Sequence, residues 1–190
     1  VPNSPWLTEL WPENVHIFTK PIIESVAISA LDCRIYGAGF TSMDCPGLLD
    51  GFHADCEEAY TIGCKEVVMN WHDDAMARLK YLHADDSIFD EVAVWRSHFF
   101  NDHALEGAAY LAISASDPEN FKGVDTGRII RAQQASGKAL KDFDRLQMSS
   151  GFPWCIASIP IPSWAKTVFP EVSEDEAMEQ LWNAIFKAVR

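Results

Sequence analysis

The sequence predicts an α/β fold, a mostly parallel sheet with helices on both faces, and three observations predict it. Short apolar runs at Lys65–Trp71, Ala108–Ser114 and Trp154–Ile159 alternate with longer stretches of helical periodicity. The middle run, Ala-Ala-Tyr-Leu-Ala-Ile-Ser, is apolar at both parities, which suits a strand covered on both sides. Strands separated by helical connections pair in parallel through crossovers.

Each element follows from local chemistry. Trp6, Trp11 and several prolines punctuate the chain up to Pro21, and Ile22–Ile28 and Cys33–Tyr36 are one or two further N-terminal strands. Glu57–Ile62 ends a helix at Gly63, placed as a left-handed stop before the Lys65 strand. Asp73 and Asp74 sit where the positive end of a helix dipole favours them, and Met76, Leu79, Leu82 and Tyr81 supply that helix's apolar side. A second helical stretch, Ile88–Leu105, carries Phe89, Val92, Trp95, Phe99 and Phe100 and stops at Gly107. After the middle strand, Asp117-Pro118 opens a short helical turn. Asp125 then caps one long helix bearing Ile129, Ile130, Leu140, Phe143 and Leu146. Pro160 and Pro162 end the third strand in a proline-punctuated loop. Ser173-Glu-Asp-Glu176 is a capping box for a terminal helix striped by Met178, Leu181, Trp182, Ile185, Phe186 and Val189.

At 190 residues, 48% hydrophobic and 23% charged, the chain suits one soluble domain with a real core. A formal net charge of -13 repels phosphate backbones and anionic headgroups, and no basic run offsets it, so neither nucleic acid nor membrane is an expected partner. The only candidate targeting segment, Pro21–Leu31, is broken by Glu24 and too short to span a bilayer. Cys33, Cys45, Cys56, Cys64 and Cys155 are odd in number and lack C-x-x-C spacing, which points away from a disulfide framework and toward a reducing, cytoplasmic compartment.

The residues alone nominate no catalytic, cofactor or metal site. Gly37-Ala-Gly39 follows a strand, but Ser42 and Cys45-Pro46 stand where a dinucleotide fingerprint needs its third glycine and helix start. His72 and His83 would share a helix side, yet eleven residues span about 16 Å, too far for one ion. Capping and surface exposure explain His72, Asp73, Asp74 and His83 better. His103 and Glu106 could share a face, but a di-metal bundle needs carboxylates from other helices. Cys155 reads as an inert core thiol, and Trp71, Trp154, Trp164 and Trp182 as packing rather than a stacking surface.

From Glu57 to Arg190 the chain resembles the N-terminal domain of the thermophilic metallo-aminopeptidases, the family of aminopeptidase T, AmpS and PepS. The resemblance is carried by Glu58-Ala-Tyr60, Gly63, Lys65–Trp71 with Asp73-Asp74, Arg78–Ala84, Gly107–Leu111, Ser116-Asp-Pro118 with Lys122–Asp125, and Ala139-Leu140. It continues in Trp154–Ala157, Trp164–Lys166, Phe169-Pro170, Leu181-Trp182 and Ile185–Ala188. Their order over some 130 residues makes the match specific, although the stretch before Glu57 departs from the family's opening helix and strand. His72 stands where the family more often has a small or acidic residue.

The resemblance implies an α/β domain at 57–190 preceded by a divergent segment, 1–56, that belongs to the same domain. The chain opens on Val1 and its last helix is still running at Arg190, so it reads as a piece whose catalytic C-terminal domain lies elsewhere. The implied whole is a cytoplasmic, homodimeric exopeptidase that removes N-terminal residues from peptides with two divalent ions, Zn or Co. The ligands belong to the absent domain, so this chain implies no catalytic residue, no cofactor of its own and no activity alone. Its partner is that metal-binding domain, with peptide substrates only in that context. The competing expectation is a free-standing α/β binding or protein-interaction module without catalysis.

Overall fold

A computed structural model describes residues 34–37, 56–70 and 72–189, with only the backbone described at 34–37. Among the described residues four parallel strands form one sheet: β1 (Arg34–Gly37), β2 (Glu66–Met69), β3 (Ala109–Ser114) and β4 (Trp154–Ser158), in the order β2-β1-β3-β4. The Cys33–Tyr36 expectation is therefore met one residue later, and its strand lies inside the sheet. Ile22–Ile28 lies outside the described residues, as does Trp71.

The helices are α1 (residues 56–61), α2 (Asp74–His83), α3 (Val94–Leu105), α4 (Thr126–Ala139), α5 (Lys141–Met148), α6 (Pro162–Val168) and α7 (Glu174–Val189). The stops at Gly63 and Gly107 adopt φ of 96° and 77°, a backbone region that costs glycine little and other residues more. Register places Tyr110, Ala112 and Ser114 of β3 level with Trp154, Ile156 and Ser158 of β4 on one face. Leu111 and Ile113 lie on the other.

Two apolar clusters cover these faces. On the first, Ala109, Leu111 and Ile113 pack with Ala59 of α1, Ala165 of α6 and Met178, Leu181 and Trp182 of α7. On the second, Tyr110 and Val68 pack with Phe100 and Ala104 of α3 and Phe143 and Leu146 of α5. Helices thus lie on both faces, as the apolar pattern of β3 requires. No described helix is long and apolar enough to cross a membrane.

Four sequence expectations are corrected. Ile88–Leu105 is not one helix: a 3-10 turn, Asp86–Phe89, precedes α3. Asp85 accepts hydrogen bonds from the Ser87 N–H and hydroxyl, and Arg131 grips the Asp90 carboxylate and the Asp86 carbonyl, holding the chain in the tighter turn. The long helix after Asp125 breaks at Leu140, because Asn101 of α3 inserts its amide there. Its Nδ2 donates to the Ala139 carbonyl (2.9 Å) and its Oδ1 accepts from the Phe143 N–H (3.0 Å), replacing the helical bond between those two groups. Asp117-Pro118 opens successive hydrogen-bonded turns rather than a helix. The proline-punctuated loop contains α6, with Pro162 in its first turn, where its missing N–H is harmless.

Candidate functional site

In an open parallel sheet, ligands bind beyond the carboxyl ends of the strands. At that edge the connection after β2 meets the connection after β3, although β1 lies between these strands. Asp73 caps α2 by accepting from the Met76 N–H at 2.7 Å, as its position in the sequence predicts. The next residue, Asp74, is 7% exposed, which corrects the surface reading made from sequence. Its carboxylate accepts from the Asp117 N–H at 3.3 Å, and its carbonyl accepts from the Asn120 amide at 3.0 Å. One turn along, Arg78 donates to the carbonyls of Asn120 and Lys122. The side chains of α2 thus hold the 117–124 turn.

Burial raises the Asp74 pKa, opposed by the Asp117 N–H and by His72 and reinforced by the carboxylates of Asp73 and Asp117. His72 Nε2 lies 3.9 Å from the Asp74 carboxylate, a distance at which charge matters but no hydrogen bond forms. Beside this junction Ser114 and Ser116 approach each other at 3.2 Å between hydroxyls. The cluster is polar and internally bonded; it positions two loops.

Other sequence candidates are dispersed. His72 precedes α2 and His83 ends it. His103 Nδ1 donates to the Phe99 carbonyl at 2.6 Å within α3, while Glu106 is the cap beyond that helix. Cys155 packs against the first core cluster, and burial pushes its thiol pKa up, away from a reactive thiolate. Ala38–Ser42 lies outside the described residues. Trp182 is buried and Trp164 packs on the core, but Trp154 is 40% exposed on β4, which corrects its assignment to packing.

Among the described residues no three His, Cys, Asp or Glu side chains come together to hold a metal ion. A two-metal centre holds ions about 3.5–4 Å apart with several fixed ligands, so the described residues do not fit one. Sequence reasoning missed the roles of Asn120, Arg78 and buried Asp74, since each depends on a partner more than forty positions away.

The fold is thus a parallel α/β domain whose carboxyl edge carries a polar junction. This chain belongs to the thermophilic metalloprotease (M29) family, whose profile matches residues 51–190. It is 39% identical to aminopeptidase AmpS of Bacillus subtilis over 134 residues, covering 70% of this chain and 33% of AmpS. Against aminopeptidase T of Thermus aquaticus the identity is 34% over 134 residues, with the same shares of 70% and 33%. Wild-type AmpT from Thermus thermophilus superposes with a TM-score of 0.77 at 26% identity, over 94% of this chain and 44% of AmpT. The chain therefore spans about a third of the length of the curated relatives it matches.

Proposed function

We propose that this chain acts as the N-terminal α/β domain of a metal-dependent aminopeptidase that removes N-terminal residues from peptides. The observation that carries the reading is the family match over residues 51–190, aligned with aminopeptidases of which this chain spans about a third. Residues 1–56 and 57–190 act as one domain, a reading supported by β1 pairing between β2 and β3. In the whole enzyme the domain packs against a metal-binding domain and limits access to its cavity. That enzyme is a cytoplasmic homodimer using two divalent ions, Zn or Co, and the ions supply activation of the attacking water.

By this reading residues 1–190 alone do not hydrolyse peptides. The test is incubation of the chain with an aminoacyl p-nitroanilide and Zn2+ or Co2+. Release of nitroaniline at the metal-only rate is expected; turnover that rises with protein concentration overturns the reading.

A further inference from the structure

Among the described residues β4 is an edge strand, paired with β3 on one side only. Its ladder is framed by the Tyr110 N–H, which donates to the Pro153 carbonyl at 2.9 Å, and the Ile159 N–H, which donates to the Ser114 carbonyl at 2.7 Å. One side of a parallel strand engages alternate residues, so the N–H and C=O groups of Trp154, Ile156 and Ser158 point away from β3. No described strand or helix bonds them; only the Cys155 sulfur, a weak acceptor, lies near the Ile156 N–H. All three residues are exposed, Ile156 at 56%.

The β2 edge is guarded where the β4 edge is bare. Lys65 and Glu66 open β2, and the Tyr60 hydroxyl of α1 accepts from the Val67 N–H at 3.2 Å. Around β4, by contrast, no Asp, Glu, Lys, Arg or His stands between Arg145 and Lys166, the longest uncharged stretch of the chain. Apolar side chains are also exposed on α2, at Met76, Leu79 and Leu82 (71%, 55% and 42%), while Asp74, Arg78 and Tyr81 face inward, Tyr81 stacking on buried Phe89 at 5.2 Å. A helix satisfies its own backbone, so that stripe specifies no ligand. A bare strand edge does specify one: another strand.

We propose that two copies of this chain join by antiparallel pairing of their β4 edges about a two-fold axis at Ile156. In that register Ile156 lies beside its own copy and Trp154 beside the second copy's Ser158, a large side chain against a small one, and each of the three residues exchanges both its hydrogen bonds. The strand is thus complementary to itself. The charge of -13 opposes self-association over most of the surface, and at this edge no like charges are opposed. Pro160, the next position of the same parity, lacks an N–H and ends the pairing, so the two-fold closes the sheet edge instead of propagating it. The inference uses this domain alone and does not rest on the peptidase reading.

The test is sedimentation equilibrium on residues 1–190, with amide exchange read by NMR at high and low protein concentration. The mass is expected to rise from one chain toward two over the micromolar range, and the Trp154, Ile156 and Ser158 amides to exchange more slowly in the concentrated sample. Ile156→Lys sets two ammonium stems on residues about 5.5 Å apart across the axis and should weaken the dimer by about tenfold or more. Its melting temperature in dilute solution should stay the same, since the side chain is more than half exposed. Leu79→Lys, on α2, should leave the dimer unchanged. A monomer at every concentration, a dimer indifferent to Ile156→Lys, equal exchange of the three amides in both samples, or a mass that grows past two chains overturns the proposal. So does a monomer whose three amides are protected only by an added unrelated extended peptide, which would assign the edge to a foreign strand.

Discussion

Helices α2 and α7 carry the same sequence instructions, an acid-rich start and an apolar stripe, and lie oppositely on the protein. In α7 the stripe is buried: Met178, Leu181 and Trp182 lie in the larger core cluster, with Trp182 stacked on Phe186 at 5.4 Å. The Ser173 hydroxyl accepts from the Glu176 N–H at 3.3 Å, and Glu176 accepts from the Gln180 amide on its own helix. In α2 the polar side is the anchor. Burying its stripe instead would gain about 1.5–3 kcal/mol for each fully covered side chain. It would also cost the bonds of Asp74, Asn120 and Arg78, about 1–3 kcal/mol each, and the Tyr81 ring pair, about 0.5–1.5 kcal/mol. The sums are comparable. A stripe therefore identifies a helix without settling which side faces in.

The comparison can be broken by substitution, starting with the largest effect. Trp182→Ala should destabilise the chain by about 3–5 kcal/mol in urea titration, because a buried indole leaves a cavity that neighbours fill only partly. Arg78→Ala should cost about 1–2 kcal/mol by the same assay, discounted for partial solvent access, and should raise amide exchange across residues 117–124. If that turn keeps its protection, the polar anchoring of α2 is wrong.

Asp74→Asn should act through pH. The folded protein holds the Asp74 proton to a higher pH than the unfolded chain does. Its contribution to stability therefore falls as pH rises through the interval between the ordinary carboxylate value and the raised one, and stays lower at neutral pH. Facing groups are His72, Asp73 and Asp117. An asparagine oxygen can still accept from the Asp117 N–H, so the melting temperature at pH 8 should stay level or rise by up to about 4 °C. The advantage should shrink on acidification. A loss at pH 8 that disappears at low pH would show instead that the carboxylate charge stabilises the junction. Smallest of all, Leu79→Ala should change stability by less than about 0.5 kcal/mol; a cost like that of Trp182→Ala would mean α2 is packed like α7.

Much of the fold was legible without coordinates. The runs around Val67, Leu111 and Ile156 became strands, Gly63 and Gly107 became left-handed stops, and Asp125 caps its helix by accepting from the Gly127 N–H at 2.8 Å. The candidate site was less legible. Asp73 reads as a cap because its partner is three residues away, whereas buried Asp74 looks the same in sequence and differs only by the distant turn it meets.

By itself the sequence determined what forms over one or two turns: strand and helix type, caps, stops, and the ordered residues that carry the family resemblance. Tertiary structure alone decided the strand order, the break at Leu140, the inward side of α2 and the burial of Asp74. The reason is range. Asn101 with Ala139, Arg78 with Asn120 and Asp74 with Asp117 are separated by about forty positions, so no local pattern encodes them until the sheet brings them together.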